Sequence, residues 1–386
     1  MIFDFLDFEF LRLTGFSRYM PAGLWRKYDT PLLKRSVISN LEEHKLIKLL
    51  SDKMSYKLTK RGRDYLEKMG YSYAFDARTN LKKKSYIRKL KNTELNILLL
   101  LSGIDIYYET ARELSNIENG YMSSLTLRSD KNMKVLSGTK FLGVLKIENA
   151  VYIPYYIESS ESWIFPSFER ETFSSQVGAI QGINDIKLIL TGETLEELWK
   201  FSNSKTEGAT LQKGRRFIGE ALEEMGYEYL LVPVGKNGVM QMSVLKNKGY
   251  RQTLARRMGC TQNTSSALSE CDGIKKNSPY VIAIDFNVKR IVRALRQIEK
   301  YDKKIIPTVC CLSFQKDAML KLLTKYGKQK TMVSVIENKD IFRVFPDIKE
   351  TNIKRTVFIT KEGETIEIPE RGGGENKAED FKASDN

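Results

Sequence analysis

A chain of 386 residues with 41% hydrophobic and 10% aromatic content can bury apolar cores in more than one domain, which excludes a disordered or fibrous protein. Its net charge of +15 points to a polyanionic partner, and its longest apolar run, LNILLLL at 95–101, is far shorter than the roughly 20 residues a membrane helix needs. One histidine, His44, and four cysteines without a CxxC pair, Cys260, Cys271, Cys310 and Cys311, argue against a zinc site and against a serine or cysteine triad, which needs its own imidazole base.

The charge is concentrated. Residues 1–92 hold 21 Lys and Arg against 10 Asp and Glu, a surplus of +11, while residues 362–386 hold 8 acidic and 3 basic groups. The opening MIFDFLDFEF is acidic and lacks a cleavage site, so a cytoplasmic protein without a membrane partner is expected.

In chain order, FDFLDFEFLRLTGF predicts a first helix ending near Gly15, and PAGLWRKY (21–28) a short second one opened by Pro21. TPLLKRSVISNLEEHKLI (30–47) predicts a third. Thr30 is placed to cap it, and Pro31 sits where a missing N–H costs nothing. Leu33, Val37, Ile38 and Leu41 form its apolar stripe, with Lys34, Arg35, Ser36, Ser39 and Asn40 on the opposite arc. His44 closes the helix. A strand over KLIKLL (45–50), a turn over SDKMS (51–55) and a strand over YKLT (56–59) follow, and Thr59 caps a further helix, KRGRDYLEKMG, with Tyr65, Leu66 and Met69 facing inward.

This order is that of a winged helix-turn-helix, with an expected core of Leu11, Leu13, Leu24, Trp25, Leu33, Val37, Leu41, Leu46, Leu49 and Leu58. Its third helix would enter a major groove. Lys34, Arg35, Ser36, Ser39 and Asn40 would meet bases and phosphates, Arg35 and Asn40 being capable of bidentate base contacts. Lys53 and Lys57 in the wing, and Lys60, Arg61 and Arg63 after it, would reach the backbone. Residues 80–104 then read as one long connecting helix. Lys82, Lys83 and Lys84 crowd its first half, either continuing the DNA surface or forming a solvated linker.

Beyond residue 120 strands alternate with helices. KFLGVLKIENAVYIPYYIES is a hairpin turning at Glu148 and Asn149, SSQVGAIQGI a helix, DIKLILTG a buried strand and TLEELWKFSN a helix capped by Thr194. YEYLLVPV, SPYVIAIDF, KKIIPTVCCLSF and KTMVSVIE read as strands, with helices over NVKRIVRALRQIEKYD and QKDAMLKLLTKYG. Such alternation predicts an α/β domain around a mixed sheet. It carries no GxxxxGK[ST], and no GxGxxG follows a strand. Asp285, ending VIAIDF, is the best single acid for a metal-dependent nuclease, but YIPYYIES and TVCCLSF offer no carboxylate-x-lysine, so a strand-end or helix-capping role is favoured. Glu148, Glu169 and Asp185 are similarly isolated. YRQTLARRMGCTQNTSSALSE (250–270) has Ala255, Gly259 and Leu268 near helix-turn-helix spacing and is basic through Arg251, Arg256 and Arg257, yet its place between strands favours a helical insertion. The tail ERGGGENKAEDFKASDN (370–386) is expected to be disordered.

The expected fold is α+β: a winged helix-turn-helix over 1–78, a basic connecting helix over 79–105, an α/β domain over 106–360 and a disordered acidic tail over 361–386. The YKLTKRGRDYL ending, the basic helix after it, and KFLGVLKIENAVYIPYYIESSESWIFPSFE, YEYLLVPVGKNG and VIAIDFNVKRIVRAL followed by CCLSFQKD together resemble the replication-relaxation proteins of bacterial plasmids and integrative conjugative elements. The resemblance covers most of residues 1–340. It implies sequence-specific binding of double-stranded DNA in plasmid replication, mobilisation or transcriptional control, with a second domain similar to a restriction-endonuclease-like core. This chain lacks that core's metal-binding signature. A noncatalytic binder without cofactor or metal is therefore expected, its α/β domain dimerising or docking a replication or transfer protein; the alternative is a metal-dependent DNA nicking or cleaving enzyme using Asp285.

Overall fold

Helix α1 (Phe5–Ser17) starts where Asp4 accepts the Asp7 N–H at 2.8 Å, an N-cap that satisfies one of the free donors of the first turn. The computed structural model describes residues 4–73, 81, 84–108, 119–129, 141–148, 150–158, 185–204, 218–224, 226–327, 330–350, 356–359 and 365–368. After α1 come β1 (Met20–Pro21), the single turn α2 (Trp25–Tyr28), α3 (Arg35–Glu43), β2 (Ile47–Leu49), β3 (Ser55–Leu58) and α4 (Lys60–Lys68). The three strands form an antiparallel sheet in the order β1-β3-β2.

Three local expectations are corrected here. The third helix begins at Arg35, not at Thr30: Pro31–Leu33 is a separate 3-10 turn, Lys34 is extended, and the buried Thr30 makes no side-chain cap. Leu32 lies a third of a helical turn off the stripe of Leu33, Val37 and Leu41, and the break lets Leu32 and Leu33 both be fully buried. Trp25 and Leu49, assigned to the core, are exposed at 50% and 38%. On so short a helix Leu24 and Tyr28 already fill the inward positions. The second helix is shorter than predicted because Met20 and Pro21 pair with Tyr56 and Ser55.

Thr59 does cap α4, accepting the Gly62 N–H at 3.1 Å and donating to Lys45 O at 2.6 Å. Gly62 is required there, because a Cβ would stand 2.1 Å from Leu46 O.

Helix α5 (Lys84–Leu101) packs α1 and β1 against the rest of the chain. Its buried polar groups fix the register: Thr93 donates to Tyr19 O at 2.8 Å, Asn96 to Ser17 Oγ at 2.8 Å, and Tyr28 OH to Glu94 O at 2.9 Å. Around it one apolar cluster runs continuously from Phe10 and Leu41 through Leu98 to Val232 and Met242.

The remaining elements are β4 (Asn119–Ser123), α6 (Ser124–Ser129), β5 (Gly143–Ile147), β6 (Ala150–Tyr156), β7 (Asp185–Gly192), α7 (Leu195–Ser202), α8 (Ile218–Glu224), β8 (Glu228–Pro233), α9 (Lys236–Leu245), α10 (Tyr250–Arg257), β9 (Gly273–Lys275), β10 (Ser278–Ile282), α11 (Val288–Tyr301), β11 (Thr308–Leu312), α12 (Lys316–Tyr326), β12 (Met332–Ile336), α13 (Asn338–Val344), α14 (Pro346–Glu350), β13 (Thr356–Ile359) and β14 (Thr365–Ile368). They build two mixed sheets, β4-β5-β6-β7-β8 with the last three strands parallel and β12-β11-β10-β9 with the first three parallel, and a two-stranded antiparallel sheet, β13-β14, whose second strand lies in the stretch expected as a disordered tail. The molecule is thus a mixed α and β protein. The hairpin turns at Glu148, whose φ of 53° suits a tight reversal, and Thr194 caps α7. The second helix-turn-helix candidate does not form: α10 is followed by a single 3-10 turn over Ser266–Leu268. The helix expected over 174–183, Glu169 and the tail 370–386 lie outside the described residues. Among those residues no helix is long and apolar enough to cross a membrane.

Candidate nucleic-acid interface

Helix α3 buries Val37, Ile38 and Leu41, and Lys34 at its N-cap together with Arg35, Ser36 and Ser39 is exposed. Asn40 is corrected. It is half-buried and its Nδ2 donates to Asp7 Oδ2 at 2.5 Å, which ties α3 to α1 and takes the amide off the exposed arc. Burial and the neighbouring Asp4 push the Asp7 carboxyl above its ordinary value, against the opposing effect of the Asn40 bond. His44 ends the helix as expected, its Nδ1 lying 2.8 Å from Asn40 O. Glu42 and Glu43 are exposed in the last turn, so the cationic end is the N-terminal one.

The hairpin between β2 and β3 is closed by Leu50 N–H to Ser55 O and by Lys53 N–H to Leu50 O, both 2.9 Å. Lys53 takes φ 58° at its tip and is exposed. Tyr56 lies between this hairpin and α3: burial raises its hydroxyl pKa first, Glu42 adds to that, and Arg35 opposes it. On the other face Lys48 and Lys57 stand directly opposite in register.

The other predicted contacts divide. Lys60 and Arg61 are exposed along a shallow groove with Leu46, Asp64, Tyr65 and Lys68. Because Thr59 bonds Lys45 O, they sit at the base of the hairpin near the end of α3, away from Lys53. Arg63 leans along α4 to Glu67 at 3.6 Å and Asp64 at 3.9 Å. Lys84 is exposed at the start of α5, two residues before Tyr86, which is buried against the hairpin with its hydroxyl 2.7 Å from Ser55 Oγ and its pKa pushed up to about 12 by that burial. Lys82 and Lys83 lie outside the described residues.

Asp285 is held inside the protein. It is 6% exposed, its Oδ2 is 3.5 Å from Arg290 Nε, and its Oδ1 accepts from Asn287 N–H at 3.3 Å. Burial raises its pKa, but the charges of Arg290 and Arg251 outweigh this and hold the carboxyl below its ordinary value. Arg290 also meets Asp272 Oδ2 at 3.2 Å and donates to Ile282 O. The helix cap itself is Asn287, which accepts Arg290 N–H at 3.1 Å. Among the described residues no three His, Cys, Asp or Glu side chains converge as a metal site. The four cysteines are free and buried.

A cleft of about 280 Å³ opens at the carboxyl ends of β7 and β8, walled by Leu195, Trp199, Pro233 and Phe314. Two of its acidic groups are already paired. Glu193 meets Lys27 at 2.7 Å and Lys91 at 3.4 Å, and Glu196 meets Lys321 at 3.1 Å. Burial raises the Glu193 pKa, yet the bonds from Lys27 and Tyr156 prevail and keep it low. This network ties α2 to the end of β7.

Two exposed side chains escaped the sequence reading, Trp25 and Met54, at 50% and 48% exposure. The signal for Trp25 was present in the pairing of Leu24 with Tyr28 at i, i+4, which fills one face of a short helix and turns the residue between them outward. Compared with protein-family models, with curated proteins and with solved structures, the chain matches none of them.

Proposed function

We propose that the N-terminal unit is a winged helix-turn-helix that binds double-stranded DNA sequence-specifically, with α3 in the major groove. The observation that carries the reading is the N-terminal half of α3. Lys34, Arg35, Ser36 and Ser39 are exposed together on a helix whose other face is buried, and it is the N-terminal residues of a recognition helix that reach base edges. Arg35 is the side chain able to bond a guanine in bidentate fashion. Lys34 and Lys53 would meet phosphates, and Lys60, Arg61 and Lys84 would extend the electrostatic footprint. Asn40, bonded to Asp7, is left out of this set.

The second unit, likened to a restriction-endonuclease-like core, is read as noncatalytic, and the engagement of Asp285 with Arg290 supports that. Its role is to dimerise or to dock a replication or transfer protein. A place in plasmid replication, mobilisation or its control rests on the resemblance alone. Fluorescence anisotropy with duplexes tiled across the native locus tests the reading: one duplex should bind on the order of a thousandfold more tightly than its scrambled counterpart, and Arg35→Ala should erase most of that margin. Equal affinity for every duplex would overturn it.

A further inference from the structure

Trp25 and Met54 both stand out to solvent, at 50% and 48% exposure. Ala22 N–H donates to Met54 O at 2.8 Å, carrying the β1 to β3 pairing up to the hairpin tip, and Trp25 follows three residues later. Neither can fold inward. Leu24 and Tyr28 occupy the buried positions on either side of Trp25, at 2% and 4% exposure, and the Met54 N–H is held by Asp52 Oδ1 at 3.0 Å in a closed turn. The Arg26 guanidinium lies 5.1 Å from the centre of the Trp25 ring, and Lys53 is exposed next to Met54. Of the nearby carboxylates, Asp52 faces into its own turn, and Asp29 is exposed at the far end of α2.

We propose that this patch receives unpaired bases adjoining the duplex held by α3, so that the protein prefers duplex DNA with a single-stranded arm to continuous duplex. The proposal rests on the DNA-binding reading above. An indole and a thioether flanked by two cations match the chemistry of a single strand, whose bases offer flat apolar faces and whose backbone offers phosphates. The bases must already be unpaired. Opening one step of an intact duplex costs about as much as one stacked base returns, so a single tryptophan gains nothing by prying a duplex apart.

The test uses the full chain in fluorescence anisotropy, at low salt where sequence-independent binding is measurable. The probes are a blunt mixed-sequence duplex of about two helical turns and the same duplex carrying a 3′ or a 5′ oligo-dT arm. One armed form should bind on the order of tenfold more tightly, the size expected of one stacked base. Trp25→Ala should abolish this preference and leave blunt-duplex affinity within about twofold, while Trp25→Phe should keep part of it. Trp25 is exposed, so unchanged thermal melting would confirm that both variants fold. Equal binding of armed and blunt duplexes by the unaltered chain overturns the proposal and leaves the duplex-binding reading standing. A preference that survives Trp25→Ala also overturns it, as does a changed sedimentation of Trp25→Ala without any change in DNA preference, which would make the patch a protein contact. Binding of no probe at all would overturn both readings.

Discussion

Replacing Arg290 by Met removes the one cation that, among the described residues, pairs with both Asp272 and Asp285 in the interior. The Arg290 side chain is 4% exposed; its Nη1 is 3.2 Å from Asp272 Oδ2 and its Nε 3.5 Å from Asp285 Oδ2. Met keeps much of the apolar stem, so the loss is electrostatic. Taking away one partner of a buried ion pair costs about 3–5 kcal/mol, a large part of the roughly 5–15 kcal/mol that holds a folded chain together. Asp272 would keep its bond from Ile282 N–H at 2.6 Å and Asp285 its bond from Asn287 N–H together with the more distant Arg251, which places the expected loss at the lower end, about 3 kcal/mol. The sign of the pH dependence follows from Asp285. Its folded pKa is depressed, burial being outweighed first by Arg290, so its contribution is complete above the unfolded carboxylate value of about 4 and fades as pH falls through the folded value. The gap between parent and variant in urea unfolding should therefore be full at neutral pH and narrow below about pH 4, and Asp285→Asn in the variant should restore part of the loss. A loss under about 1 kcal/mol, or a gap independent of pH, would refute the reasoning and leave Asp285 available for other chemistry.

Gly62→Ala should lower stability by about 1–3 kcal/mol in a thermal melt, because its Cβ would meet the main-chain oxygen of Leu46 at 2.1 Å and main chain cannot swing aside. Asp7→Asn should be neutral or stabilising near neutral pH: burial raises the folded pKa of Asp7, so its ionised form carries a cost that protonation removes, and the difference from the parent should vanish as pH falls through that raised value. Lys34→Ala should weaken binding to all duplexes alike and reduce the slope of log affinity against log salt by about one, which a salt titration of anisotropy would read.

Most elements were legible where a local signal and burial agree. Thr59 and Thr194 cap the helices they precede, and the Glu148 turn lies between two strands whose apolar residues alternate. The Thr30 and Pro31 signal failed because it competes with Leu32, which gains more from burial than a continuous helix gains from a cap. Helix α9 was hidden by the GKNG at its start, where Gly235 takes φ 90° and Gly238 packs against Pro233 O. The partners of Asn40 and Asp285 were hidden for a different reason. Spacing sets the direction of a side chain but not its partner, and those partners, Asp7 in the first case and Arg290 with Asp272 behind it in the second, come together only in the fold. The Ala22 to Met54 bond, which brings the segment before Trp25 to the hairpin tip, is likewise encoded by no local pattern.

The central claim is that α3 reads a DNA sequence. Nuclease footprinting across the native locus tests it most directly. The account predicts a bounded protected segment that persists when competitor DNA is added and disappears with Arg35→Ala. Protection spread evenly along the fragment, or a footprint that Arg35→Ala leaves in place, would contradict it.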